Sequence, residues 1–253
     1  MNGVRVGIIG IGNMGSAHFR CIKSGKIIGM TVTAVCDICE DKLILVNRDY
    51  PEIKAYTDYK LLLKDNDVDA VIIAVPHPLH GIIAEQALNC GKHTLVEKPI
   101  DISVSAAKRL CDTAEKSDKV FGIMFNQRTN GLFGKAREIV KSGELGELKR
   151  SVWIITNWYR TQSYYDSGTW RATWRGEGGG LLLNQAPHNL DIWQWICGMP
   201  SAVTAFCNVG KYHNIEVEDE ATVYTEYANG ATGVFIASTG DCPGTNRLEI
   251  TGT

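Results

Sequence analysis

Four stretches of this sequence carry residues whose types and spacing could do chemistry. They are Gly10-Ile11-Gly12-Asn13-Met14-Gly15, the segment from Ala74 through Pro76 to His80, Glu97-Lys98-Pro99, and a run Gly178-Gly179-Gly180 that leads into Asn184, His188 and Asp191. The first is a phosphate-binding pattern. Gly10 permits a tight turn, Gly12 lets the main chain approach a pyrophosphate, and Gly15 lets a helix pack closely on the preceding strand. The amides of Asn13 and Met14 then fall at a helix N-terminus, where free N–H groups and the positive dipole end favour phosphate. About 20 residues further on stands Asp37, at a strand end where a carboxylate can accept both ribose hydroxyls of a dinucleotide. Loop and acid together favour NAD over NADP. A 2′-phosphate beside Asp37 would be repelled, and the following Ile38 and Cys39 offer no cation to compensate.

Ala74, Pro76, His80, Glu97 and Lys98 lie where later strands end, which is where open α/β sheets bind ligands, so they are candidate cofactor contacts. Pro76 and Pro78 could equally do no more than end a strand and start a helix. Lys98 is more pointed: a proline follows it, so its backbone is held extended near the expected nicotinamide.

In the second half, Asn184, His188 and Asp191 fall at i, i+4 and i+7, sharing one face of a helix whose first turn takes Pro187. Each has a bland alternative: a cap for Asn184, a satisfied core histidine for His188, an orienting role for Asp191. The stretch 158–175 gathers aromatics, arginines and glycines, including Arg160, Tyr164, Trp170 and Arg171. Flat aromatic walls with a few fixed donors suit a sugar or polyol ring. The same residue types are enriched at subunit interfaces.

The elements that must position these residues follow from apolar periodicity. Runs rich in Val and Ile at 4–10, 31–37, 68–76, 93–96 and 120–125 read as strands covered on both faces. Between them, 14–24, 41–48, 79–89 and 103–117 read as helices. The alternation implies a parallel sheet with right-handed crossovers. The expected fold is α/β: an N-terminal doubly wound Rossmann domain over residues 1–125, then an α+β domain over 126–253 with an open, mainly antiparallel sheet. In the second domain a helix at 131–141, a strand at 148–157 and a helix at 181–197 precede successive strands. Asn229-Gly230 is expected to close a hairpin between 221–227 and 231–237 through a type I′ turn. The run 247–253 reads as a strand cut short, as in a chain truncated relative to a longer protein.

Composition narrows the class. The 253 residues are 44% hydrophobic and 21% charged with a formal net charge of −2, typical of soluble globular proteins and without the footprint of a nucleic-acid or membrane binder. The start lacks the pattern of a signal peptide, so a cytoplasmic location is expected. The eight scattered cysteines read as reduced, mostly buried thiols, and Cys36-Asp37-Ile38-Cys39 lacks the partners of a zinc set, so no metal is expected.

With these motifs in order along the chain, the sequence resembles the glucose-fructose oxidoreductase / inositol dehydrogenase / MocA family. Glu97-Lys98-Pro99 is its more specific mark. The resemblance implies NAD-dependent transfer of hydride to or from a secondary alcohol of a sugar, sugar derivative or cyclic polyol. It implies catalytic roles for Lys98 beside the reacting hydroxyl, for His188 as acid/base, and for the position of Asn184, where family members commonly carry Asp. An amide there can hydrogen-bond but cannot take a proton. The resemblance also implies substrate contacts from Lys98, Arg160, Tyr164, Trp170, Arg171, Asn184 and His188, and a homodimer or homotetramer formed through the C-terminal sheet. Two alternatives stay open: redox-assisted glycoside cleavage with retained NAD, and a non-catalytic sensor of sugar or nucleotide.

Overall fold

The apolar runs of the first half become the strands of a parallel sheet in the computed structural model, which describes residues 3–253. The strands are β1 (Val4–Ile9), β2 (Met30–Cys36), β3 (Lys54–Tyr56), β4 (Ala70–Ile73), β5 (His93–Val96) and β6 (Phe121–Ile123). Their spatial order is β3-β2-β1-β4-β5-β6 and every neighbouring pair is parallel. The crossovers carry α1 (Asn13–Lys23), α2 (Glu40–Asp49), α3 (Tyr59–Leu63), α4 (His80–Asn89) and α5 (Val104–Lys116). Because helices cover both faces, the central strands bury side chains on both. Ile9, Ile73 and Val96 join one apolar cluster, and Val6, Ile8 and Val35 the other. The strand order reverses between β1 and β4, and loops diverge there at the carboxyl edge, which makes the crevice that such sheets use for ligands. Sequence periodicity did not foresee β3 and α3, which are too short to show a period. Asp58 starts α3 by accepting the Lys60 N–H at 2.9 Å.

The chain divides into two compact units, Met1–Met124 and Phe125–Thr253. The second holds α6 (Gly131–Ser142), β7 (Leu148–Ile155), α7 (Gln162–Asp166), α8 (Leu181–Asn184), α9 (Pro187–Cys197), β8 (Ala202–Val209), β9 (Glu218–Glu226), β10 (Thr232–Ser238) and β11 (Asn246–Gly252). The sheet order is β11-β7-β10-β9-β8, with β7 and β10 parallel and the other neighbours antiparallel. Helices cover one face. Trp193 of α9 stacks on Phe235 of β10 at 5.7 Å and donates its indole N–H to Ser151 of β7 at 2.9 Å. Burying a tryptophan with its N–H satisfied locks helix to sheet.

Three expectations need correction. The helix expected over 181–197 is two helices, because it ends at Asn184 and restarts at Pro187, whose ring cannot sit inside a continuous helix. The Asn-Gly hairpin is not a two-residue type I′ turn. Tyr227 N–H donates to Ala231 O at 3.0 Å and Gly230 N–H to Tyr227 O at 2.9 Å, with positive φ at Gly230 alone. Ala228 makes the loop three residues long, which favours a type I turn followed by a left-handed residue. The cysteines are all free, but only Cys36 is buried, and Cys21, Cys90, Cys111, Cys207 and Cys242 are exposed. Among the described residues, no helix is long and apolar enough to cross a membrane.

Candidate active site

The glycine loop joins β1 to α1 and its three glycines have distinct surroundings. Gly10 has φ +92° and a Cβ there would overlap the Ala74 carbonyl, while a Cβ on Gly15 would overlap the Gly10 carbonyl oxygen. Both close approaches forbid a side chain. Gly12 is the helix cap, at φ −83°, and a Cβ there would meet nothing within 4 Å. Its absent side chain therefore serves open space in front of the first turn of α1, where helical amides lack intrahelical acceptors. That hollow, bounded by backbone N–H groups, fits a pyrophosphate and hence a dinucleotide.

Asp37 follows β2, is 8% exposed, and reaches across to the same loop. Its Oδ2 accepts the Ile11 N–H at 2.8 Å and Lys42 Nζ at 3.1 Å, and its Oδ1 accepts the Cys39 N–H at 2.9 Å. The carboxylate thus fixes the glycine loop to the β2 end. Ile38 and Cys39 bring no cation to this carboxylate, but Lys42, on α2, does.

The loops after β4 and β5 are tied to each other and to α1. Pro76 starts a 3-10 turn, His77–Leu79, that leads into α4. His80, 1% exposed, has Nδ1 2.6 Å from the Pro99 carbonyl and Nε2 2.8 Å from the Val75 carbonyl. Both ring nitrogens therefore face main-chain acceptors, and the ring joins the two loops rather than presenting a nitrogen outward. Burial pushes its pKa down against the opposing pull of those carbonyls. Glu97 is 6% exposed and its Oε1 lies 2.7 Å from His18 Nε2 on α1. This contact anchors the backbone that carries Lys98, next to Ala74 and the glycine loop at one end of the sheet.

In the second unit the chain folds around two carboxylates. Glu218, first residue of β9, accepts the N–H groups of Gly180 at 3.0 Å and Leu182 at 2.9 Å, so it caps α8 from outside. Gly180 must be glycine, because a Cβ there would overlap the Glu218 backbone. Glu177, 2% exposed, accepts the Ala172 N–H at 2.7 Å on Oε2 and the Asn184 side-chain N–H on Oε1. His188 lies in the first turn of α9 with its ring edge-on to Phe125, centroids 6.0 Å apart. Asp191 is committed to Arg128, which donates to it from Nε at 2.8 Å and Nη2 at 2.6 Å. Asn184, His188 and Asp191 consequently do not share one continuous helix face.

Arg160, Tyr164, Trp170 and Arg171 come together. The Arg160 and Arg171 guanidiniums lie 5.0 and 4.6 Å from the Tyr164 ring centroid, and Arg171 also lies 4.7 Å from the Trp170 ring. Sequence reasoning missed His18, Lys42, Glu177 and Glu218. Glu177 had a local signal, as a lone acid immediately before three glycines. The partnership of His18 with Glu97 had none, because 79 residues separate them.

Residues 4–125 match the model of an oxidoreductase family with an NAD-binding Rossmann fold, and residues 133–253 match the GFO/IDH/MocA C-terminal domain. An uncharacterised oxidoreductase of Schizosaccharomyces pombe is 32% identical over 210 residues, 81% of this chain and 56% of the relative, so the chain spans little more than half of that protein's length. Myo-inositol 2-dehydrogenase of Thermotoga maritima is 27% identical over 99% of this chain and 73% of its own length. The crystal structure of the WlbA dehydrogenase of Chromobacterium violaceum, in complex with NADH and UDP-GlcNAcA, superposes with a TM-score of 0.92 at 25% identity, covering 100% of this chain and 72% of that one. With both family domains in tandem and the dinucleotide loop intact, the chain belongs to the GFO/IDH/MocA family of NAD-binding oxidoreductases.

Proposed function

We propose that this chain catalyses hydride transfer between NAD and a secondary alcohol of a sugar, sugar derivative or cyclic polyol. The observation that carries the reading is the glycine loop with open space at Gly12, locked to Asp37, at the same sheet edge as the Glu97-anchored Lys98. Ile11, Asn13 and Met14 belong to the loop that would hold the pyrophosphate, and Asp37 would take the adenosine ribose. Bound NAD supplies the hydride acceptor at its nicotinamide ring. Lys98 offers a positive charge and N–H donors to the oxygen from which hydride leaves, stabilising it as negative charge develops. His188 takes the hydroxyl proton, and histidine suits transfer in either direction near neutral pH. Asn184 contributes hydrogen bonding only, because an amide neither gains nor loses a proton near neutral pH.

The relative that acts on myo-inositol and the neighbour crystallised with UDP-GlcNAcA both support a ring-shaped polyol or sugar derivative. The exposed Val203, Phe206 and Val209 of β8 support assembly through the second sheet. The test is NADH formation across a panel of sugars, inositols and sugar acids. Lys98→Ala and His188→Ala are each expected to lower kcat by about 100-fold or more. Turnover within about threefold of wild type in both variants, a barrier change under roughly 1 kcal/mol, would sink the assignment.

A further inference from the structure

Two arginines approach one ring, that of Tyr164. The Arg160 and Arg171 guanidiniums lie 5.0 and 4.6 Å from its ring centroid, and among the described residues neither is in an ion pair with a carboxylate. Arg171 donates Nη1 to the Tyr164 hydroxyl at 2.9 Å. Arg160 makes one long side-chain bond, Nη1 to the Tyr159 carbonyl at 3.4 Å, and its Nε is buried without a hydrogen-bond partner. A guanidinium has five N–H donors in a planar fork that matches carboxylate or phosphate oxygens. A buried donor left without an acceptor is costly, and two like charges stacked on one ring repel each other. An anion that both arginines could reach would remove each of these costs.

The backbone on either side is fixed in advance. Arg160 donates its N–H to the Thr239 carbonyl at 2.9 Å, and its own carbonyl lies 2.9 Å from His213 Nε2, whose Nδ1 is 3.0 Å from the buried Asp219. Arg171 precedes Ala172, which has φ +51° and is held by Glu177, the same carboxylate that holds Asn184. The strained, non-glycine turn therefore spaces Arg171 from Asn184 through a single buried side chain. Preorganised cations cost less ordering on binding than mobile surface ones.

We infer that Arg160 and Arg171, around Tyr164, form a subsite for an anionic oxygen group, so that the sugar this chain takes carries a carboxylate or a phosphate. The inference rests on the reading of this unit as the one that meets a sugar. It adds a charge to a substrate that the aromatic walls alone describe as neutral.

The test is calorimetric titration of the NADH-loaded protein with matched probes: glucuronate against glucose, galacturonate against galactose, and glucose 6-phosphate against glucose. At least one acidic probe is expected to bind about tenfold or more tighter than its neutral match, with the preference shrinking as salt is raised. Which arm responds separates carboxylate from phosphate. Arg160→Gln and Arg171→Gln are each expected to cut the preference, the ratio of acidic to neutral affinity, about fivefold, with NADH affinity within about twofold as the check on folding. Arg160→Lys and Arg171→Lys keep the charge and are expected to retain part of it, which covers the case of a glutamine variant that fails to fold. The inference is overturned if no acidic probe binds more tightly than its match, whether or not the neutral sugars bind, or if the preference survives both glutamine substitutions. An acid preference without NADH turnover on any probe would instead count against alcohol oxidation and leave the subsite standing.

Discussion

Glu177 accepts the side-chain amide of Asn184 on one carboxylate oxygen, which leaves the Asn184 carbonyl oxygen as the group turned away from Glu177. At position 184 this chain has an amide whose polarity a buried neighbour dictates. The buried acid beside it is Glu177, seven residues earlier in the chain, and the amide presents an acceptor that does not take a proton near neutral pH.

Asn184→Asp tests that relationship. Two carboxyls would then face each other in a buried setting, and one must hold a proton whose pKa is raised by the like charge. A carboxyl with a raised folded-state pKa stabilises least at high pH, so the melting temperature of the variant is expected to fall further below wild type between pH 5 and pH 8. The deficit should reach about 1–3 kcal/mol. Adding Glu177→Gln to that background should close most of the gap. A deficit independent of pH would show that the two side chains do not meet.

The glycines at 12 and 15 should separate binding from folding. Gly15→Ala drives a methyl into the Gly10 carbonyl and is expected to cost about 2–4 kcal/mol in chemical denaturation. Gly12→Ala has free space and an ordinary φ, so stability should change by less than about 0.5 kcal/mol. Its NADH affinity, read by fluorescence, should nonetheless fall about tenfold or more, because the methyl occupies the hollow meant for phosphate.

Asp37→Ser replaces the two carboxylate oxygens that accept the Ile11 and Cys39 amides with one shorter hydroxyl and leaves Lys42 without its carboxylate. NADH binding is expected to weaken about tenfold, and the NADH to NADPH affinity ratio should shift about tenfold toward NADPH as Lys42 becomes available to a 2′-phosphate. An unchanged ratio would remove Asp37 from the discrimination.

His80 gives a pH signature. Burial lowers its pKa, so the neutral ring is the form the fold favours, and its contribution is present above the ordinary histidine pKa and lost as pH falls below it. The stability lost on His80→Ala, on the order of 2–3 kcal/mol at pH 7.5, should therefore shrink by pH 5. Parallel curves for variant and wild type across that range would contradict the assignment.

What the sequence made legible was local. Val4–Ile9 followed by Gly10, Gly12 and Gly15 carries its strand, turn and helix within twelve residues, and Asp37 lies one crossover away. Glu97-Lys98-Pro99 was readable for the same reason. The partners that fix these residues were not, because they come from other parts of the chain: His18 to Glu97, Lys42 to Asp37, Glu218 to Gly180. Periodicity also misled where a helix broke, since 181–197 keeps its apolar spacing through Gln185 and Ala186 while Pro187 interrupts the hydrogen bonds.

Glu218 carries a further consequence. A helix of four residues has no stability of its own, so α8 exists because a residue of β9 caps it. β9 is in turn aligned by its pairing with β8 and β10. Slipping that pairing by one residue would turn Glu218 to the opposite face of the sheet and uncap α8. The placement of Asn184 is thus inherited from strand alignment, and an error in assembling the sheet would disable it without altering any residue of α8.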